Sequence, residues 1–435
     1  MALKLDELTT ALHRALGSGG VQLAPGALRA CTVDGITPHV RIAPADAEQI
    51  AVALRLCAEH EAAVVPWGGG TAMHWGNVPR HAEVALSLER LTGLVEHDDA
   101  NLTATVQAGV PLVSLQELLG RRNQFLAIDA ARPQRATVGG IVAANTNGPR
   151  RMMYGSVRDL VIGMKVVLAD GTPIKAGGKV VKNVAGYDMC KLFVGSLGTL
   201  GVITEATFKM APQPETARTV MARGSLPQAA ELTREVFASA LLPAAVAVVH
   251  GEVAASAGFP GESVSVAVWA EGFEEAVARH VRDVTGMAER GGMAVEVLDG
   301  ARHLRLWEVL RDFGADGMAP AVVRVTVPLA AVMDVIRFVQ QPLDGALPQY
   351  VAHAGTGTVW LTIADAASAP RWVGRLTTMA TERHGHVVLA SAPPEVKRRL
   401  DVWGPPPPTL SLMKDLKHQF DPHGLLNPGR FVARL

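Results

Sequence analysis

Cysteine is scarce. Cys31, Cys57 and Cys190 are the only three in 435 residues, and no two are close enough to form a CxxC pair. They cannot by themselves build an iron–sulfur cluster or a zinc ribbon. A disulfide framework is equally excluded, which suits a reducing cytoplasm. There is no excess of either charge, with 41 basic and 41 acidic residues. A nucleic-acid binder would usually be strongly basic. Long hydrophobic runs are also missing: a stretch such as 241–249 falls far short of the roughly 20 residues a membrane helix needs. The opening Met-Ala-Leu-Lys-Leu-Asp-Glu-Leu has early acids and no apolar h-region, so it does not read as a signal peptide. The expectation is a cytoplasmic protein that reaches the inner membrane, if at all, through a partner.

Glycine is abundant, at 43 residues, and the glycine-rich motifs lie in the first half. Residues 5–16 and 46–60 read as amphipathic helices, the second capped by Asp46. A strand at 62–66 runs into a glycine loop. Further strands are expected at 84–88, 103–107 and 161–168, the last followed by the hairpin signal Asp170-Gly171, with a helix over 111–122. Near residue 213 strands and amphipathic helices begin to alternate, with strands at 263–270, 294–298, 321–327, 349–353, 359–363 and 386–390. Helices are expected over 273–290, 329–339 and 370–384. Successive β-α-β units imply an antiparallel sheet with helices on one face. The class is α+β. Four parts are expected: an N-terminal helical segment (1–33), a glycine-loop domain (34–213), an α+β domain (214–404) and a tail (405–435) that starts with the stiff run 405–408 of four prolines.

Three glycine segments carry the chemistry. The first is Trp67-Gly68-Gly69-Gly70-Thr71-Ala72, immediately after a strand. Glycines let backbone amides approach an anion closely and form a phosphate nest, and Thr71 adds a hydroxyl donor. The second is Thr137-Val138-Gly139-Gly140 with Ala143, and the third is Gly155-Ser156. A Rossmann loop would need glycine or alanine where Met73 stands. A P-loop would need Lys-Ser or Lys-Thr after the glycines, and none follows.

Together these segments resemble the vanillyl-alcohol oxidase / p-cresol methylhydroxylase flavoprotein superfamily. The likeness covers about 34–212 and includes Lys182-Asn183-Val184-Ala185-Gly186-Tyr187-Asp188 and Gly195-Ser196-Leu197-Gly198-Thr199-Leu200-Gly201-Val202-Ile203. The tail from Phe420 to Arg430, with Asn427, is similar to the closing motif of that family. The resemblance implies a two-part FAD-binding domain with an α+β cap. It implies FAD held noncovalently by residues 67–72, 137–140, Ala143, Gly155, Ser156, Gly201, Val202, Ile203 and Asn427; His74 is the one nearby candidate for covalent attachment. Within the superfamily the chain resembles the E subunits of bacterial glycolate oxidases. That branch implies a complex with a second FAD-binding catalytic subunit and an iron–sulfur subunit, oxidising glycolate or another small 2-hydroxy acid.

Departures from the catalytic relatives are equally readable. Those relatives hold a divalent metal with His-x-Gly-Asp-Gly-Asn-x-His and a later Glu-His-Gly. Here the runs are His353-Ala-Gly-Thr356-Gly-Thr-Val-Trp360 and Arg383-His384-Gly385, so no metal is expected. The relatives also place an arginine and a threonine where Val181 and Ala185 stand. The remaining candidates for chemistry are His353 as base, Arg324 as carboxylate grip, and Lys182. Arg324 has the rival reading of a structural ion pair, and Lys182 that of a solvated loop lysine. Tyr187 is expected to pack. Three functions stay open: an FAD subunit that feeds an iron–sulfur partner, a self-sufficient dehydrogenase, and a flavin-free structural subunit.

Overall fold

A computed structural model describes residues 2–179, 187–261, 263–315, 317, 319–341, 343 and 346–435. Lys182, Val181 and Ala185 lie outside the described residues.

The helix Ala47–Glu59 buries Ile50, Ala51, Leu54 and Cys57 on one stripe, and the Asp46 carboxylate caps it by accepting from the Gln49 amide at 2.8 Å. This helix is the crossover between Val40–Ile42 and Val64–Trp67, which both pair in parallel with Val84–Ser87. Val21–Gln22 completes this four-stranded sheet. A five-stranded antiparallel sheet follows, in the order Leu94–Asp98, Thr103–Gln107, Val202–Lys209, Val161–Val167, Pro173–Gly177. The last two strands form the hairpin that Asp170-Gly171 announces. Both sheets share one apolar core, which the tail enters at Leu426. The amide of Val64 donates to Leu425 O (2.8 Å), and that of Asn427 to Val64 O (2.9 Å), so the tail zips onto the strand that feeds the glycine loop.

The second core belongs to an eight-stranded antiparallel sheet built from two β-α-β-β-α-β units. Its strand order is Ala294–Leu298, Thr216–Gly224, Val264–Gly272, Ala245–Val249, Gln349–His353, Thr358–Ile363, Ala321–Thr326, His386–Ser391. The units join where Ala245–Val249 pairs with Gln349–His353. Four helices, Leu226–Ala238, Glu274–Arg290, Val332–Val339 and Ala369–Thr381, cover one face. Helices are not confined to that face. Gly300–Asp312 packs Leu306, Trp307 and Leu310 against Met221, Ala247 and Trp269 on the other side of the first unit. Its apolar stripe leaves it no other place to bury. The same face of the second unit has no helix of its own. It carries Val322, Arg324 and Thr326 and lines a cavity against the glycine-loop region.

Candidate active site

Trp67-Gly68-Gly69-Gly70-Thr71-Ala72 lines a cavity of about 80 Å³ beyond the carboxyl end of a parallel strand, where ligands of such sheets bind. Among the described residues, none of the amides from Gly68 to Ala72 donates to a protein acceptor. The Thr137 hydroxyl in the same wall is buried and also unpartnered. Free donors beside small residues and apolar walls are what a dinucleotide pyrophosphate requires, so the residues fit FAD. Gly139, Gly140, Ala143, Gly201, Ile203 and Asn427 line the same cavity. Val138 and Val202 do not; each is 1 % exposed and packed in the core. Gly155 and Ser156 are also elsewhere. The Asp159 carboxylate accepts from the Ser156 amide (2.8 Å) and hydroxyl (2.6 Å), which starts the short helix Val157–Leu160, and Gly155 supplies the turn at φ +85°. Their motif forms a helix start and does not line this cavity.

The tail and a distant lysine hold the loop from behind. Arg430 donates to Met73 O (2.8 Å) and Trp75 O (2.6 Å), and Lys397 donates to His74 O (2.6 Å) and to the Asp34 carboxylate (2.9 Å). These bonds occupy the loop's carbonyls and leave its amides for a ligand. Asn427 reaches back to Leu197 O at 2.6 Å. Lys397 is fully buried, and burial draws its ammonium below the usual lysine range despite Asp34. Removing one partner of a buried pair strands the other charge, so Lys397→Met is expected to lower unfolding stability by about 3–5 kcal/mol in a denaturant titration.

A second cavity, of about 230 Å³, adjoins the first through Thr71, Ala72 and Gly140. Its far wall is the open face of the second sheet. Arg324 and Trp360 are direct cross-strand neighbours there, and Thr326 pairs with Thr358. The Arg324 guanidinium lies 4.9 Å from the ring centre of Trp75 and 5.8 Å from that of Trp360. The two indoles pack edge to face with centres 6.0 Å apart, and the cation lies over both, which desolvates it. Burial pushes its pKa down to about 10, and no carboxylate offsets the shift. Among the described residues Arg324 makes no ion pair, and its Nε has no partner. The described residues thus give the ion-pair reading no partner, and Arg324 lines a cavity.

His353 shares this cavity, with its Nε2 buried and unpartnered. Burial holds its imidazole down at about 4, so it is neutral at neutral pH. His74 lines the cavity too and is likewise pushed to about 4 by burial, then by Lys397. Among the described residues no group of three His, Cys, Asp or Glu could hold a metal. Trp360 stacks on Arg324 instead, and Arg383 pairs with Asp334 at 3.2 Å. Tyr187 is 93 % exposed, which corrects the expectation that it packs.

His303, buried against Trp269, is also pushed to about 4 by burial. In the unfolded chain both His303 and His353 titrate near 6.5. Between 6.5 and 4 the unfolded chain binds more protons, so their contribution is complete above 6.5 and is lost as pH falls. The melting temperature should decline between pH 6.5 and 4.5, and the decline should be shallower in His353→Gln.

Two cavity residues carried no motif. Trp75 follows the glycine loop with nothing in the sequence to mark it. Arg151 sits beside Arg150, and only the fold separates them. Arg150 is half-buried, bonded to Asp129 at 2.6 Å and 3.5 Å from Glu271 across the junction of the two cores. Arg151 is exposed and lines the cavity.

A family model for the FAD binding domain matches residues 38–177, and one for the C-terminal domain of FAD-linked oxidases matches residues 405–431. The chain is 29% identical over 426 residues to the glycolate oxidase subunit GlcD of Bacillus subtilis, covering 91% of this chain and 89% of that one. It is 28% identical over 423 residues to a D-2-hydroxyglutarate dehydrogenase of Xanthomonas citri, covering 89% and 88%. Among solved structures it is similar to p-cresol methylhydroxylase with substrate bound, at TM-score 0.78 and 15% identity over 99% of this chain and 97% of that one. The chain is an FAD-binding flavoprotein with the fold of p-cresol methylhydroxylase, carrying the FAD-binding and C-terminal domains of the FAD-linked oxidases.

Proposed function

We propose that this chain is the FAD subunit of a complex that oxidises a small 2-hydroxy acid and exports the electrons through an iron–sulfur partner. The observation that carries the reading is Arg324: a half-buried guanidinium, with no ion-pair partner among the described residues, in a cavity continuous with the dinucleotide trough. A buried cation without a counter-charge is costly, and a substrate carboxylate satisfies it with two parallel hydrogen bonds. The similarity to GlcD supports both the substrate class and the multi-subunit setting.

Bound FAD supplies an acceptor for the two electrons of the substrate carbinol. The chain's own residues do the rest. Arg324 fixes the carboxylate. Trp75 and Trp360 flank it and exclude water, which strengthens that electrostatic grip. His353, neutral and with Nε2 free, accepts the hydroxyl proton. Its low pKa makes it a weak base, so Thr326 and Thr358 beside it share in orienting the hydroxyl. Electron export calls for a partner, because the three cysteines are separately buried. Among the described residues no helix is long and apolar enough to cross a membrane.

The self-sufficient dehydrogenase is the second reading, favoured by the same cavity, since it contains both a cation and a proton acceptor. The test is anaerobic mixing of the yellow chain with glycolate and with D-lactate while absorption near about 450 nm is followed. Bleaching with the chain alone selects the self-sufficient enzyme. Bleaching only after adding the co-expressed partner subunits supports the complex. A chain that takes up FAD but is never reduced by any 2-hydroxy acid, alone or with partners, overturns the proposal.

A further inference from the structure

A further pocket, of about 190 Å³, shares no lining residue with the cavity of Arg324 and His353 or with the dinucleotide trough. It lies between the helix Leu410–Phe420 and the segment 192–200. Leu192, Leu200, Met413, Leu416, Phe431 and Leu435 form its apolar wall. All but Leu200 are half-buried, so the pocket opens to solvent. Its polar groups are few and nearly spent. Lys417 donates to Thr199 O at 2.8 Å, to the Asp421 carboxylate at 2.5 Å and to Leu426 O at 3.0 Å, which uses all three ammonium hydrogens. The Thr199 hydroxyl donates to Ser196 O at 2.7 Å. The Ser196 hydroxyl is left buried and without a partner, which is costly until something bonds it.

The rim is basic. Arg434, next to Leu435, donates to the carbonyls of Arg398 (3.4 Å) and Leu400 (3.2 Å), and Arg80 donates to the Arg434 carbonyl at 3.5 Å. Arg80, Arg398, Arg399 and Arg434 are exposed, and among the described residues none of them has a carboxylate partner. The acids of this face are Glu395, Asp401 and the Leu435 carboxylate. Asp401 is already engaged by Asn77 at 2.9 Å and by the Trp403 amide at 3.0 Å. Met413, Leu416 and Lys417 turn toward the pocket, so on the same helix Lys414 flanks it and Asp415 points away.

An aromatic side chain with a polar tip fits this arrangement. An apolar cavity of about 150 Å³ already accepts a benzene ring. A tyrosine or tryptophan fills the apolar volume, and its O–H or N–H reaches Ser196. Aromatic residues seated in a pocket inside a polar rim are the usual anchors of protein interfaces. A bilayer fits poorly, because the apolar surface is recessed and Leu412, 57 % exposed, is the one large apolar side chain that protrudes from the helix. We infer that this pocket docks a protein partner through a tyrosine or tryptophan flanked by aspartates or glutamates, with the ring in the pocket and the acids on the arginine rim. The rim contacts are exposed and screened, so they select and orient the partner while the ring supplies most of the affinity. The inference stands apart from the choice of substrate.

The test is fluorescence anisotropy of a labelled Glu-Asp-Tyr-Asp-Glu peptide titrated with the FAD-loaded full chain. Replacing the tyrosine by alanine should weaken binding about thirtyfold. Replacing the four acids by lysines should weaken it about tenfold, a difference that fades as salt rises. Replacing the tyrosine by phenylalanine should cost severalfold with the native chain and nothing with Ser196→Ala. Arg398→Glu combined with Arg399→Glu should abolish the preference for acids, and Met413→Trp, which fills the pocket, should abolish the preference for tyrosine. FAD content and melting temperature check that each variant folds. Equal binding of the tyrosine and alanine peptides, equal binding of the acidic and lysine peptides, or no binding of the tyrosine peptide at about 1 mM each overturns the inference. Flotation of the chain with phosphatidylglycerol vesicles that is lost in the double arginine variant also overturns it, by assigning the face to a membrane.

Discussion

Gly69→Ala purifies without FAD. A Cβ built at Gly69 lies 1.6 Å from the Arg135 carbonyl oxygen and 2.6 Å from its carbon. Both are backbone atoms, so no side-chain rotation relieves the clash. The Arg135 side chain grips the loop as well, donating to Gly69 O at 3.0 Å. The loop and the segment before Thr137 are thus interlocked, and a single methyl must push them apart. Separating them displaces both groups of free donors at once, the loop amides and the Thr137 hydroxyl. Losing two or more hydrogen bonds to a charged phosphate forfeits about 3 kcal/mol or more, and so weakens binding more than about a hundredfold. The measurement is flavin content per chain after gel filtration, with refolding in excess FAD as a second step. Gly374→Ala is the control. Gly374 lies within the helix Ala369–Thr381 with nothing within 4 Å of its Cβ position, so alanine should keep the flavin and leave stability equal or slightly higher. A Gly69→Ala chain with full FAD content would refute the loop assignment.

Arg324→Met separates function from stability. Methionine keeps most of the length and apolar volume against Trp75 and Trp360 while removing the charge. Losing a desolvated guanidinium that binds a carboxylate typically costs about 2–5 kcal/mol, so the dissociation constant of the acid, or the KM, should rise about thirtyfold to a few thousandfold. Stability should move the other way. Burial depresses the Arg324 pKa to about 10 from 12.5, so at neutral pH the folded chain holds a charge that the unfolded chain holds more easily. Removing that charge raises the melting temperature. A structural arginine would give the opposite sign, because its loss would leave a carboxylate stranded. A drop in melting temperature together with unchanged acid binding would therefore remove Arg324 from the site.

The sequence was informative wherever chemistry is local. A parallel strand running into three glycines, the cap at Asp46 and the hairpin at Asp170-Gly171 depend on backbone geometry within a few residues, so spacing and residue type were enough. Local reasoning did not foresee that Gly155-Ser156 starts a helix, because a helix start and a phosphate loop use the same small and hydroxyl-bearing residues. It also missed the helix Gly300–Asp312, whose apolar stripe has meaning only against Trp269 and Met221 on strands distant in sequence.

The site divides in the same way. The sequence by itself determined that a dinucleotide loop is present, that the metal-ligand positions hold Thr356 and Trp360, and that Arg324 faces the same side of its strand as Val322 and Thr326. Those follow from residue identity and the two-residue period of a strand. Only the tertiary structure decided that Arg324 has no counter-ion among the described residues, that it lies over Trp75 and Trp360, and that of two adjacent arginines one is tied into an ion network while the other is open to the cavity. It also showed the tail clamping the loop's carbonyls through Arg430. Whether a charge is paired depends on which distant segments meet around it, and that is set by packing of the two cores rather than by any neighbour along the chain.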